Sequence, residues 1–348
     1  MKNIGIITIT GGANYGNRLQ NYALQYYLEK NFDCKVETLI NNSKTFTSIV
    51  KGLFVKEKDN ERTKNFKKFN KNYIHFSNFK INNFIKTQKI LKYDVLVCGS
   101  DQIWNSNYRE NDKANFGYFY SRQKVISYAA SFGTNNIKYN KIKRYAKYLN
   151  HLKYISVRED QGKVLIQKLT NREDVDVLID PTMLLSASEW DKIAKKPKCL
   201  TSKKYILNYF LGELSQEKKE AILKVAKDNN CEIINLLDLK SPFYNCNPSE
   251  FLYLEKHAFL VCTDSFHSSV FAILYNKPFV IFEREQKKLV NMNSRIETLL
   301  RKFNLKNRKF NGKKITKENL NADYKEAYQI LNKEREKSFR FLKKSLEQ

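Results

Sequence analysis

Of the four histidines in this 348-residue chain, one lies in a run whose residue types suit acid–base chemistry: Thr263-Asp264-Ser265-Phe266-His267-Ser268-Ser269. The run follows an apolar, strand-like stretch ending at Cys262 and opens an apolar, helix-like one. Ser265 or Asp264 is therefore the expected N-cap, and His267 falls in the first helical turn. A histidine there, beside the helix's partial positive charge and any anion it attracts, suits a proton shuttle; a buried, hydrogen-bonded histidine is the plain alternative. Three more loops follow predicted strands. Ser156-Val157-Arg158-Glu159-Asp160 puts Arg158 at a strand end, where a guanidinium grips a carboxylate or phosphate, or simply pairs with its acidic neighbours. Gly99 to Asn105 ends an apolar strand at Gly99 and Ser100 and offers Asp101 to accept a proton or bind a hydroxyl and Trp104 to stack on a sugar. The same residues also make an ordinary turn at Asp101 with a core tryptophan after it. Gly11 to Gln20 carries glycines at 11, 12 and 16 before a helix, which lets backbone N–H groups approach an anion, and Asn14, Asn17 and Gln20 add hydrogen-bonding capacity. The spacing is not G-x-G-x-x-G, and a tight turn alone accounts for it.

The elements that must hold these loops are legible as periodicity. Ile4 to Ile9 reads as a strand, Gly16 to about Lys30 as a helix with Leu19, Tyr22, Ala23, Tyr26 and Tyr27 on its apolar spacing, and Val36 to Ile40 as a second strand. That β-α-β unit seeds a parallel sheet. Residues 43–92 are polar and basic and read as an irregular or helical excursion. Strands follow at 93–98, 124–129, 154–157 and 175–179, with helices at 140–152 and 161–169. A second alternation has strands at 205–211, 232–237, 259–262 and 278–282, and helices at 216–229, 249–257, 266–275 and 295–303. The tail from Lys317 reads as one long amphipathic helix. Two α/β sheets predict two Rossmann-like domains, 1–172 and 173–348, with ligands at the strands' carboxyl ends and a cleft between the domains as the natural site.

Composition bounds the partners. Hydrophobic residues are 42% of the chain, enough for globular cores, and the formal charge is +27. Such a charge fits nucleic acid, an anionic membrane face, an anionic small substrate, or merely a lysine-rich coding bias. It is uneven: residues 51–92 hold twelve Lys/Arg against three acids, and residues 284–348 hold nineteen against eight. No nucleic-acid module is recognisable, so nucleic acid is not expected as a partner. The six cysteines form no C-x-x-C pair, which fits a reducing compartment and argues against a cysteine metal site. No signal peptide or membrane span is legible, so the expectation is a cytoplasmic protein, with peripheral attachment through the basic stretch at the membrane's inner face left open.

Taken in order, GGANYGNRLQNYALQYYL, YDVLVCGSDQIWN, ISYAASFG, ISVREDQG, VLIDPTMLL, SEFLYLEKHAFLVCTDSFHSSVFAILYNKPFVIF and NSRIETLLRKFNL resemble the polysaccharide pyruvyl transferase family over residues 3 to 305. The resemblance implies two Rossmann-like lobes like those of GT-B glycosyltransferases. It also implies transfer of pyruvate, as a ketal, from phosphoenolpyruvate to a sugar of a surface polysaccharide or its lipid-linked precursor. His267 matches the family's histidine in a Ser-Phe-His-Gly element, a catalytic acid; here Ser268 replaces the glycine, an added side chain expected to narrow the site. Arg158 matches a strand-end arginine for the donor's carboxylate or phosphate, with Ser265 and Arg295 as further donor contacts. Asn14, Gly16 and Gln20 match the first loop; Ser100, Asp101 and Gln102 match the second, with Asp101 orienting or deprotonating the acceptor. By the same resemblance the first domain takes the acceptor and the second the phosphoenolpyruvate, and no metal or further cofactor is implied. The rival enzyme is a GT-B sugar-nucleotide glycosyltransferase of capsule or exopolysaccharide synthesis, which would ignore phosphoenolpyruvate.

Overall fold

The computed structural model describes residues 1–41, 60–82, 87–107, 112–119, 123–284 and 294–348. Parts of the basic excursion expected at 43–92, namely 43–59 and 83–86, lie outside the described residues. The chain divides into two compact units: residues 1–63, 70–184 and 334–348 form the first, and residues 64–69 and 185–333 the second.

The first unit is built on parallel strands. β1 (Lys2–Ile7), β2 (Cys34–Asn41), β3 (Phe76–Ile81), β4 (Val95–Cys98) and β5 (Lys124–Ser127) pair in the order β3-β2-β1-β4-β5. β6 (Ile155–Val157) and β7 (Val175–Val177) form a further parallel pair. Bridges from Ile126 to Tyr154 and from Ala130 to Val157 join β6 to β5 and extend the sheet to the order 3-2-1-4-5-6-7. This is a Rossmann order with one strand added. β4 is buried at every position, as a strand covered on both faces requires. β3 is the strand that periodicity did not show: its Phe-Ser-Asn-Phe-Lys-Ile sequence is polar, and it lies at the sheet's edge. The crossovers include α1 (Tyr15–Asn31), α3 (Ile142–His151) and α4 (Asp160–Thr170); α2 (Glu61–Tyr73) precedes β3. The core centres on Trp104, whose ring stacks on Phe116 at 4.9 Å, with Phe132 and Tyr145 around it.

The second unit repeats the plan with four parallel strands: β8 (Tyr205–Tyr209), β9 (Glu232–Asn235), β10 (Leu260–Thr263) and β11 (Phe279–Ile281), in the order β11-β10-β8-β9. α5 (Gln216–Asp228), α6 (Pro248–His257) and α7 (Phe266–Leu274) connect them, and α8 (Ser294–Lys302) follows β11. α6 starts where the sequence instructs it to: Asn247 and Glu250 form a capping box and Pro248 occupies the first turn. The long terminal helix, α9, spans Lys325–Glu347, so the tail turns helical later than Lys317. Tyr324, just before α9, and Tyr328 within it tie the chain to the second unit through hydrogen bonds from their hydroxyls to Lys277 O and to Ile273 O and Leu274 O.

Each sheet has one switch point, where successive strands leave in opposite directions and a crevice opens at their carboxyl ends. In the first unit it lies between β1 and β4; in the second, between β8 and β10.

Candidate functional site

At the first switch point the loops after β1 and β4 meet the start of α1. Asn14 caps α1, its side chain accepting from Asn17 N at 3.0 Å, and Gly16 is buried in the first turn. Gln20 donates to Thr8 Oγ1 at 2.9 Å and accepts from Ser100 N at 3.0 Å, so it staples the two loops together. Gly99 is the one residue type that fits where β4 ends: its φ is +134°, and a Cβ would stand 2.1 Å from Tyr128 O. Asp101 follows in a left-handed conformation, φ 67°, which aspartate tolerates better than most residues. Its Oδ1 accepts from Gln102 N at 2.9 Å and Arg158 Nη2 at 3.3 Å, and its Oδ2 from Asn17 Nδ2 at 3.0 Å.

Arg158, at the end of β6, is buried between two carboxylates. It donates to Asp180 Oδ2 as well as to Asp101, and its side chain is 1% exposed. Burial opposes the guanidinium's charge, but Asp180, Asp101 and Glu159 outweigh it and raise the pKa. Asp180 also accepts from Ser100 Oγ at 3.1 Å and from Thr182 N and Oγ1 at 2.9 and 2.7 Å. The guanidinium expected to grip a donor pairs here with both Asp101 and Asp180 in a buried network. Two of its charged members were not singled out from the sequence. Asp180 is one. Arg18 is the other: fully buried, it donates to Asn17 Oδ1 and to Ile9 O and Gly11 O at 3.1 and 3.0 Å, and so shapes the glycine loop. Burial lowers its pKa to about 10, with Asp101 pulling the other way. Two arginines and two aspartates balance one another here, and Asp101 is the partly exposed carboxylate, at 13%. Trp104 belongs to the core; its ring is wholly buried and its Nε1 donates to Asn115 O, so neither face is open to a sugar.

The second switch point gathers different groups. After β10, Asp264 accepts from Leu211 N and Gly212 N at 2.8 and 2.9 Å, and from Arg284 Nε at 2.9 Å, which pins the loops after β8 and β11 to it. Ser265 is the N-cap of α7, and its side chain makes no capping hydrogen bond. His267 sits in the first turn, 6% exposed, its ring edge-on to Phe266 at 5.2 Å. The Arg295 guanidinium lies over the same Phe266 ring at 6.0 Å. The structure therefore brings His267 and Arg295 to the same Phe266 ring, next to the Ser265 N-cap, and adds Arg284 on Asp264, which sequence reading passed over because its partner is 20 positions away. No cluster of His, Cys, Asp or Glu that could hold a metal ion is found among the described residues.

Ser268 does not narrow this site. Its hydroxyl donates to Glu255 Oε1 on α6 at 2.5 Å, and both residues are wholly buried. Burial pushes the Glu255 carboxyl well above its ordinary 4.5. The folded state then holds this proton to higher pH than the unfolded chain does. Stability from this group is full below about 4.5 and is lost as pH rises toward the folded value. A Glu255→Gln variant is expected to flatten this decline; parallel pH profiles of urea midpoints for variant and wild type would contradict it.

Two doubly wound parallel sheets, each with a polar switch point, place the chain in the class of α/β proteins with paired Rossmann-like units of GT-B type. A family model described as polysaccharide pyruvyl transferase matches residues 14–286, and the chain belongs to that family. Among solved structures, a putative UDP-N-acetylglucosamine 2-epimerase from Listeria monocytogenes is similar, with TM-score 0.54 and 12% identity over 97% of this chain and 91% of that one. Another UDP-N-acetylglucosamine 2-epimerase has TM-score 0.51 and 11% identity over 99% and 90%. At such identity the likeness is one of fold. No curated protein sequence matches significantly. No helix among the described residues is long and apolar enough to cross a membrane.

Proposed function

We propose that this protein transfers pyruvate from phosphoenolpyruvate to two hydroxyls of a sugar in a surface polysaccharide or its lipid-linked precursor. The observation that carries the reading is the start of α7, where His267 stands in the first turn after the Ser265 N-cap, Arg295 lies over the ring of Phe266 and Arg284 is held by Asp264. A helix start with flanking guanidiniums suits the donor's phosphate and carboxylate. His267 protonates the donor's methylene carbon, leaving an oxocarbenium-like centre at the adjacent carbon. One sugar hydroxyl oxygen bonds to that centre, the phosphate C–O bond breaks, and a second hydroxyl closes the ketal. Of the two hydroxyl protons released, one replaces that given by His267 and the other leaves with phosphate. Asp101 is assigned the acceptor hydroxyl, and Asn14, Gly16, Asn17, Gln20, Ser100, Gln102 and Arg158 hold it in place. The first unit takes the acceptor and the second the donor.

Thermal-shift titration tests the donor. Phosphoenolpyruvate is expected to raise the melting temperature saturably, because it binds the native state alone, and Arg295→Ala is expected to weaken that shift. A shift with UDP- or GDP-sugars and none with phosphoenolpyruvate would instead favour a sugar-nucleotide glycosyltransferase.

A further inference from the structure

From Lys113 to Arg158 the chain runs 46 residues with ten Lys/Arg and no Asp or Glu. α3 lies in this run. Among the labelled helices carrying charge it alone has no acidic residue, while α5 and α9 mix both signs. Its inner face, Tyr145 and Leu149, is buried, and its outer face presents Lys143, Arg144, Lys147 and Asn150. Lys138 and Tyr139 extend that face past the helix start, and Tyr139 is 91% exposed. Because α3 crosses between the parallel strands β5 and β6, it begins at the strands' carboxyl edge. Lys138 N donates to Ser106 Oγ there, in the loop that follows Asp101.

We propose that the outer face of α3 is a docking surface for an anionic lipid bilayer. Charge complementarity selects an anionic partner, and the form of the face selects lipid: cations on one side of a helix whose other side is packed, with an exposed tyrosine at its end, as at a membrane–water interface. Such docking presents the carboxyl edge of the first sheet, with Asp101, to the headgroup region. The inference does not depend on the donor's identity.

Vesicle co-sedimentation of the full chain tests it. The protein is expected to pellet with phosphatidylglycerol-containing vesicles and not with phosphatidylcholine alone, less so as salt rises. Lys143→Glu/Arg144→Glu/Lys147→Glu, all at exposed positions, is expected to weaken partitioning roughly a hundredfold. Tyr139→Ser is expected to leave a weaker interaction that salt abolishes more readily. Equal pelleting by the triple variant, pelleting with neutral vesicles, or none at all would overturn the proposal. So would a labelled DNA duplex bound by wild type and not by the variant without vesicle pelleting, which would give this face to nucleic acid.

Discussion

Arg158→Ala is expected to destabilise the first unit by about 3–5 kcal/mol, the range for breaking a buried ion pair by removing one partner. The reason is asymmetry. The pair itself adds little over a hydrophobic equivalent, because both charges were taken out of water to make it. Its loss takes from Asp180, whose side chain is 0% exposed, the guanidinium paired with it, while Ser100 and Thr182 go on donating to the carboxylate. Asp101 loses one of its two arginines as well, with Arg18 still near it, and keeps Asn17 and the Gln102 N–H. Arg158→Lys restores charge without the fork that reaches two carboxylates, and should fall between wild type and alanine. Urea unfolding read by far-UV dichroism measures both. A midpoint unchanged in Arg158→Ala would mean that the arginine is not structural. Loss of the phosphoenolpyruvate shift in Arg158→Lys, with an unchanged midpoint, would return it to the donor.

His267→Gln is expected to lower turnover by about 10²–10⁴, the range for removing a general acid, with the melting temperature nearly unmoved. Glutamine keeps a hydrogen-bonding side chain of similar reach in the first turn of α7 but cannot give a proton to carbon. Phosphate release from phosphoenolpyruvate with acceptor present is the readout, and binding measured by thermal shift should survive. Turnover within threefold of wild type would take His267 out of the mechanism. Loss of turnover with loss of folding would make it a core residue.

What was legible in advance follows from how far each signal reaches along the chain. Strands covered on both faces, such as β4 and β10, announce themselves as unbroken apolar runs, and the alternation with helices gave two parallel sheets. β3 escaped because an edge strand need not be apolar, and FSNFKI resembles a loop. α9 starts later than the periodicity from Lys317 predicts, because Asn321 and Asp323 interrupt the apolar spacing ahead of Lys325. Ser265, His267 and Arg295 were each visible as strand-end or helix-start residues. Their partners were not: Arg284 with Asp264, Glu255 with Ser268, and Asp180 with Arg158 are pairings across separate elements, and no local pattern encodes them. Trp104 shows the converse limit, since its type suits both a sugar platform and a core, and packing chose the core.

The far end of the chain carries a consequence for biogenesis. Lys2 Nζ donates to Leu346 O at 2.5 Å, Lys124 Nζ to Ser345 O at 3.2 Å and Lys153 Nζ to Gln348 O at 2.8 Å, so residues 334–348 complete the first unit. Those residues leave the ribosome only after 185–333 have been made. The first unit therefore waits, with its strands made but without its closing helical segment, while the second unit is synthesised, reversing the usual order in which the leading domain matures first.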